Sequence, residues 1–129
     1  MAARIFFALT AIVWLPYGIY CFFHPGYLAE AAGVAASTAT GTVELRAMYG
    51  GLQAGVGALA LAAALRPRLV ASALLSSSFL FAGLATTRLV AAISAGDLSS
   101  YTVFALGLER GSTALAVGLL RAQSAPAAA

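Results

Sequence analysis

Lysine is absent from this chain, and charge of either sign is scarce. All seven basic residues are arginine, there are four acidic residues, and charged residues make up 9% of the sequence. A water-soluble domain carries roughly 25%, so this chain has too few charges to clothe a surface that faces water. It has one cysteine, Cys21, and one histidine, His24. A lone thiol excludes an internal disulfide, a C-x-x-C redox pair and a multi-cysteine zinc site. With a single histidine beside it, a protein-only transition-metal centre has too few ligands, and no metal or cofactor is expected. Cys21 reads as a small apolar filler. The net charge of +3 is not gathered into a basic stripe with interleaved aromatics, so no nucleic-acid partner is expected.

What the chain has instead is apolar length. Hydrophobic residues form 62% of its 129 residues, too many for so small an interior to hide, so lipid is the expected partner for most of the outside. Crossing hydrocarbon takes roughly 20 apolar residues in a helix, and four stretches qualify: about residues 4–23, 42–65, 69–93 and 101–120. His24-Pro25-Gly26, Arg66-Pro67-Arg68 and the Ser94 to Ser100 segment with Gly96-Asp97 punctuate them. A barrel would need many short alternating segments, which are missing. The expectation is therefore an all-α, integral membrane four-helix bundle, residues 1–129 forming one four-span domain with a flexible tail over 122–129. Arg4 before an apolar run, with Ala29-Glu30-Ala31 beyond it, imitates a secretory signal. However, Ile5 to Phe23 exceeds the usual h-region of about 7–15 residues and reads as the first span. Arg4, Arg66, Arg68 and Arg121 fall on one side, and the opposite connections carry only His24, Glu30 and Asp97. The positive-inside rule then puts both termini in the cytoplasm. Abundant alanine with arginine in place of lysine points to a GC-rich bacterial genome, hence a multi-pass protein of the bacterial cytoplasmic (inner) membrane. The outer connection, residues 24–41, is long, and its apolar part, Tyr27 to Val34, is expected either to lie on the membrane as a short helix capping the outer mouth or to form a loop.

The informative residues are those that hydrocarbon penalises. Counting 1.5 Å per residue from the expected outer boundary, Glu44 lies roughly 3 Å deep, Arg46 about 6 Å, Arg88 about 8 Å and Glu109 about 12 Å. Charges on three helices at similar depth are expected to face inward and pair, and Glu44, Arg88 and Glu109 are expected to converge. At 100° per residue, Arg46, Tyr49, Gly50, Gln53 and Gly57 share one face of the second span, and Glu44, Met48, Gly51 and Gly55 share the other. The candidate ligand-binding residues are Glu44, Arg46, Tyr49, Gln53, Arg88 and Glu109, and a self-satisfied salt-bridge network is the competing structural reading. Gly51-x-x-x-Gly55 reads as a close helix contact, as does the stripe Gly107, Gly111, Ala114 and Gly118, whose partner is a neighbouring helix or a second subunit. Ser72, Ser76, Gly83 and Thr87 form a packing stripe whose hydroxyls bond back to their own helix. Tyr17 and Tyr20 fit an interfacial belt, and Trp14 sits deep enough to line a cavity.

Glu44 to Gly55, ELRAMYGGLQAG, resembles an uncharacterised family of small bacterial four-helix membrane proteins related to the DoxX-like group. The shared pattern is Pro25, the E-x-R-x-x-Y-G-G motif at Glu44, Arg46, Tyr49, Gly50 and Gly51, then Arg88, Gly96-Asp97 and Glu109. The resemblance implies architecture, and its relatives are associated with respiratory or thiol-redox membrane systems. Lone Cys21 gives dithiol chemistry no support. Two functions fit the residues. One is a binding or accessory protein whose outer-leaflet polar pocket holds a small hydrophobic, lipid-like or quinone-like molecule, or docks a homo-oligomer or larger membrane complex. The other is a membrane-embedded isomerase or cyclase acting on a hydrophobic substrate, with Glu44 and Glu109 as acid and base.

Overall fold

Long apolar runs become helices between their caps and breakers, and the computed structural model, which describes residues 1–124, is helical in all its regular structure. Helix α1 spans Ala2–Phe23 with Pro16 inside it. α2 is a single short piece, Tyr27–Ala32, closed by Gly33 in the left-handed conformation at φ 67° and anchored by fully buried Leu28. Of the two forms expected for the outer connection, it is thus helical. α3 (Ala39–Leu45), a π-helical segment (Arg46–Gly51) and α4 (Leu52–Leu65) run on without a break. A 3₁₀ turn at Pro67–Leu69 leads into α5, Val70–Ala95, and α6 covers Ser100–Ser124.

Four of these stretches are long and apolar enough to cross a membrane: Ala2–Phe23, Ala39–Leu65, Pro67–Ala95 and Ser100–Gln123. The shortest has 22 residues, about 33 Å of helix against a hydrocarbon core of about 30 Å. The second begins at Ala39 and not Thr42, because Thr38 caps it: its Oγ1 accepts the Gly41 N–H at 3.0 Å, an N-cap bond that hydropathy does not register. At the other end of the chain, Ala122, Gln123 and Ser124 belong to α6 instead of the expected tail. The rest of that tail lies outside the described residues.

The chain divides into two compact units, Ala3–Pro67 and the residues from Arg68 onward. In the first, α1 and α4 pack antiparallel with almost no side chain between them. A Cβ on Gly18 would collide with the Ala54 nitrogen and sit 2.7 Å from the Gly50 carbonyl oxygen. One on Gly57 would collide with the Leu15 nitrogen, and one on Gly50 would lie 2.8 Å from the Phe22 Cβ. Gly18, Gly50 and Gly57 are therefore the residues that let these backbones meet. At the far end of the pair, Arg4 Nε donates to the Ala64 carbonyl at 2.7 Å. This places a cation on the unsatisfied carbonyls that close α4. The expected Gly51–Gly55 contact is not the one made. A Cβ on Gly55 would meet nothing within 4 Å, and one on Gly51 only its own turn at 3.9 Å. The wheel drawn at 100° per residue put Gly50 and Gly57 on one face and Gly51 and Gly55 on the other, and the face that meets α1 is the first.

In the second unit, α5 and α6 form an antiparallel hairpin joined by a short turn. Gly96, at φ 66°, ends α5 with two reverse bonds, Gly96 N–H to the Ile93 carbonyl and Asp97 N–H to that of Ala92, the Schellman arrangement. Hydroxyls along both units are absorbed by their own helices: Thr10 bonds to the Phe6 carbonyl, Ser78 to that of Leu74 and Thr87 to that of Gly83. Ser72 bonds to the Leu69 carbonyl in the turn before α5, so two members of the α5 stripe, Ser72 and Thr87, bond back to local backbone. The outside is apolar, with Phe79 74%, Phe104 72% and Ile12 68% exposed.

The close approach of α1 and α4 makes a direct prediction. Gly18→Ala has to push backbone apart, at about 1–3 kcal/mol, and will lower the thermal unfolding midpoint of the detergent-solubilised protein. Gly55→Ala, which enters open space, will leave it unchanged or raised.

Candidate functional site

The hairpin turn builds one side of the site. Asp97 follows the left-handed glycine, and its Oδ1 accepts the Ser99 N–H at 2.9 Å. Its Oδ2 accepts from the hydroxyls of Ser99, at 3.2 Å, and Thr102. Ser99 in turn caps α6, its Oγ accepting the Thr102 N–H at 3.3 Å. Donation from the Thr102 hydroxyl and the Ser99 backbone holds the Asp97 carboxyl below its ordinary range. The ionised turn therefore supports the fold above the unfolded carboxyl's pKa, and that support is lost as pH falls through the lowered value.

The other side comes from the helices. Arg88, two turns before the end of α5, reaches Glu109 on α6. Its Nε donates to both carboxylate oxygens at 3.0 Å, and Nη2 donates to Oε1 at 2.7 Å. Glu109 is 3% exposed, so its charge is held almost entirely by this one guanidinium. Forked pairing of this kind fixes orientation as well as charge. The Arg88 guanidinium carbon also stands 6.0 Å from the centre of the Tyr101 ring, within cation–π range. Thr113 returns its hydroxyl to the Glu109 carbonyl at 2.8 Å. Between the turn and the pair lies a cavity of about 200 Å³, lined by Arg88, Ala91, Ala92, Ala95, Asp97 and Thr102.

Of the residues singled out in the sequence, Arg88 and Glu109 meet. Glu44, Arg46, Tyr49 and Gln53 belong to the first unit. Glu44 is exposed on α3 and has no ion-pair partner among the described residues. Arg46, also exposed, opens the π segment with its guanidinium carbon 5.9 Å from the Phe22 ring centre. Tyr49 and Gln53 are half-buried, on the π segment and on α4. The wide turn runs through Arg46 and Tyr49, a form found frequently at functional sites. Sequence reading took Asp97 only as part of a turn and did not single out Thr102. The usable signal was the Ser99-x-x-Thr102 spacing after Gly-Asp, which resembles a capping box. Within the hairpin, Cβ atoms on Gly107, Gly111 and Gly118 would meet nothing among the described residues within 4 Å.

Because Glu109 is buried and its partner is not, losing either side leaves an uncompensated charge. Arg88→Gln and Glu109→Gln are each expected to cost up to about 3–5 kcal/mol, less for Glu109→Gln, since the Arg88 side chain is 30% exposed and water reaches it. The double variant will recover part of the loss in thermal unfolding. Strictly additive losses would show that the two groups act independently.

No curated protein and no solved structure matches the chain. The match to a protein family covers residues 2–120, all four of the long helices, and the chain belongs to that family, a domain of unknown function (DUF4345).

Proposed function

We propose that this is a multi-pass protein of the bacterial cytoplasmic membrane with both termini in the cytoplasm. In this reading it is a binding or accessory protein that holds the polar head of a small hydrophobic, lipid-like or quinone-like molecule in the outer leaflet. The observation that carries the reading is the cavity of about 200 Å³ bordered by Arg88, Asp97 and Thr102, beside the part-buried Arg88–Glu109 pair. Ionisable groups inside an apolar span are costly and mark sites, and a cavity with convergent polar groups is the default place to look for a ligand. The orientation rests on the positive-inside rule: Arg4, Arg66, Arg68 and Arg121 go to the cytoplasm, which leaves Asp97 and the cavity at the outer surface. Acid–base catalysis by Glu44 and Glu109 asks Glu109 for an uncommitted carboxylate, and both of its oxygens already accept from Arg88. Binding is the better-supported reading. Kinship with the DoxX-like group would fit a respiratory or redox setting, in which a quinone-like occupant is apt.

Native mass spectrometry of gently extracted protein tests this. The wild type is expected to carry a co-purifying small molecule. Arg88→Gln and Ala91→Phe, which remove the polar anchor and fill the cavity, are expected to lose it while keeping the wild-type helical circular dichroism. An adduct retained in both variants, or none in the wild type, would refute the reading.

A further inference from the structure

On another face of the same hairpin lies a larger groove, of about 440 Å³, that shares no lining residue with the outer cavity. Ala82, Ala85, Thr86 and Leu89 of α5 form one wall, and Arg110, Thr113 and Val117 of α6 the other. The wall is apolar except at Arg110 and the two threonines, and Thr113 already spends its hydroxyl proton on the Glu109 carbonyl. Arg110 is exposed and has no carboxylate partner among the described residues. It lies ten residues from the start of α6 and eleven before Arg121, near the middle of an apolar span, where a cation normally faces a partner. The Arg88–Glu109 pair fixes the hairpin register and brings Arg110 level with Thr86 and Leu89. Ala82 and Val117 lie deeper, toward the end that carries Arg68 and Arg121. The groove therefore has a cationic upper part and an apolar lower part.

We infer that this groove binds a single-chain amphiphile with a carboxylate head, of the fatty-acid class, with the head on Arg110 and Thr86 and the chain running down between Ala82 and Val117. Three observations select this occupant. A monoanion matches one unpaired guanidinium, which suits planar two-oxygen heads. A head that must descend past the interface enters at lower cost if it can travel protonated and neutral, which a carboxylic acid does more readily than a phosphate. The volume is at the small end for ligand sites, suited to one chain. A second copy of this protein is a poor occupant. The chain has four acidic residues: Glu30 and Asp97 lie outside the long helices, Glu44 near the start of its own, and Glu109 is taken by Arg88. A copy related by an axis normal to the membrane would offer Arg110 another Arg110.

The test is a palmitate titration of the full chain in phosphatidylcholine nanodiscs, followed by native mass spectrometry. Wild type and Arg121→Gln are expected to bind palmitate alike. Arg110→Gln should bind it about tenfold more weakly or worse, as for loss of a charge-assisted bond. Ala114→Phe, which blocks the groove from an exposed position, should lose binding even if Arg110→Gln proves unstable. Methyl palmitate, which has no charge, should bind like palmitate to Arg110→Gln. The inference is overturned if methyl palmitate matches palmitate on the wild type, if hexadecyl phosphate binds more tightly than palmitate, or if Arg110→Gln and Ala114→Phe bind normally. A wild-type dimer that Arg110→Gln turns into a monomer would also overturn it, by giving the groove to a second copy.

Discussion

Hydrocarbon offers no hydrogen-bond partner, and this one constraint accounts for most of what the proposed membrane setting asks of the chain. Backbone polar groups must be satisfied within the segment that carries them, which leaves helices as the spanning form. Side-chain polar groups face the same demand. Thr10, Ser78, Thr87 and Ser94 each return a hydroxyl to a carbonyl of their own helix. Among the described residues no buried side-chain polar atom lacks a partner. Where lipid is the solvent, there is also no hydrophobic drive to bring helices together, so packing falls to small residues. Gly18, Gly50 and Gly57 supply it between α1 and the π segment with α4.

Two charged groups meet the same demand by different routes. Glu109, 3% exposed, is held by Arg88 in a forked pair. Arg4 stays at an edge and places its Nε–H on the end of α4. The hairpin turn is a third polar element, in which Asp97, Ser99 and Thr102 satisfy one another and start α6. Because this turn and the Arg88–Glu109 pair come from the ends of the same two helices, they can border one cavity. The cavity follows from how the hairpin satisfies its own polar groups.

How much of this was legible beforehand depended on the kind of signal. The four helices were legible because apolar runs are long and their interruptions, His24-Pro25-Gly26, Arg66-Pro67-Arg68 and Gly96-Asp97, are chemically unambiguous. Arg88 and Glu109 were legible as a pair because opposite charges on consecutive helices lay at similar depth. Nothing in RAMYGG announces a π turn, yet the face shared by Gly50 and Gly57 was legible across it. The glycines at 51 and 55 looked like a contact motif, and those at 50 and 57 made the contact. Thr38 was passed over for a related reason, as a capping residue is polar and falls outside any hydropathy window.

The central claim is four crossings with the arginine-rich ends in the cytoplasm. It is tested most directly by labelling single cysteines with a membrane-impermeant maleimide in intact spheroplasts, after Cys21→Ala removes the only native thiol. Gly26→Cys and Leu98→Cys are predicted to label from outside. Pro67→Cys and Gln123→Cys are predicted to label only after the membrane is opened. Labelling of Leu98→Cys and Gln123→Cys from the same side would contradict the account.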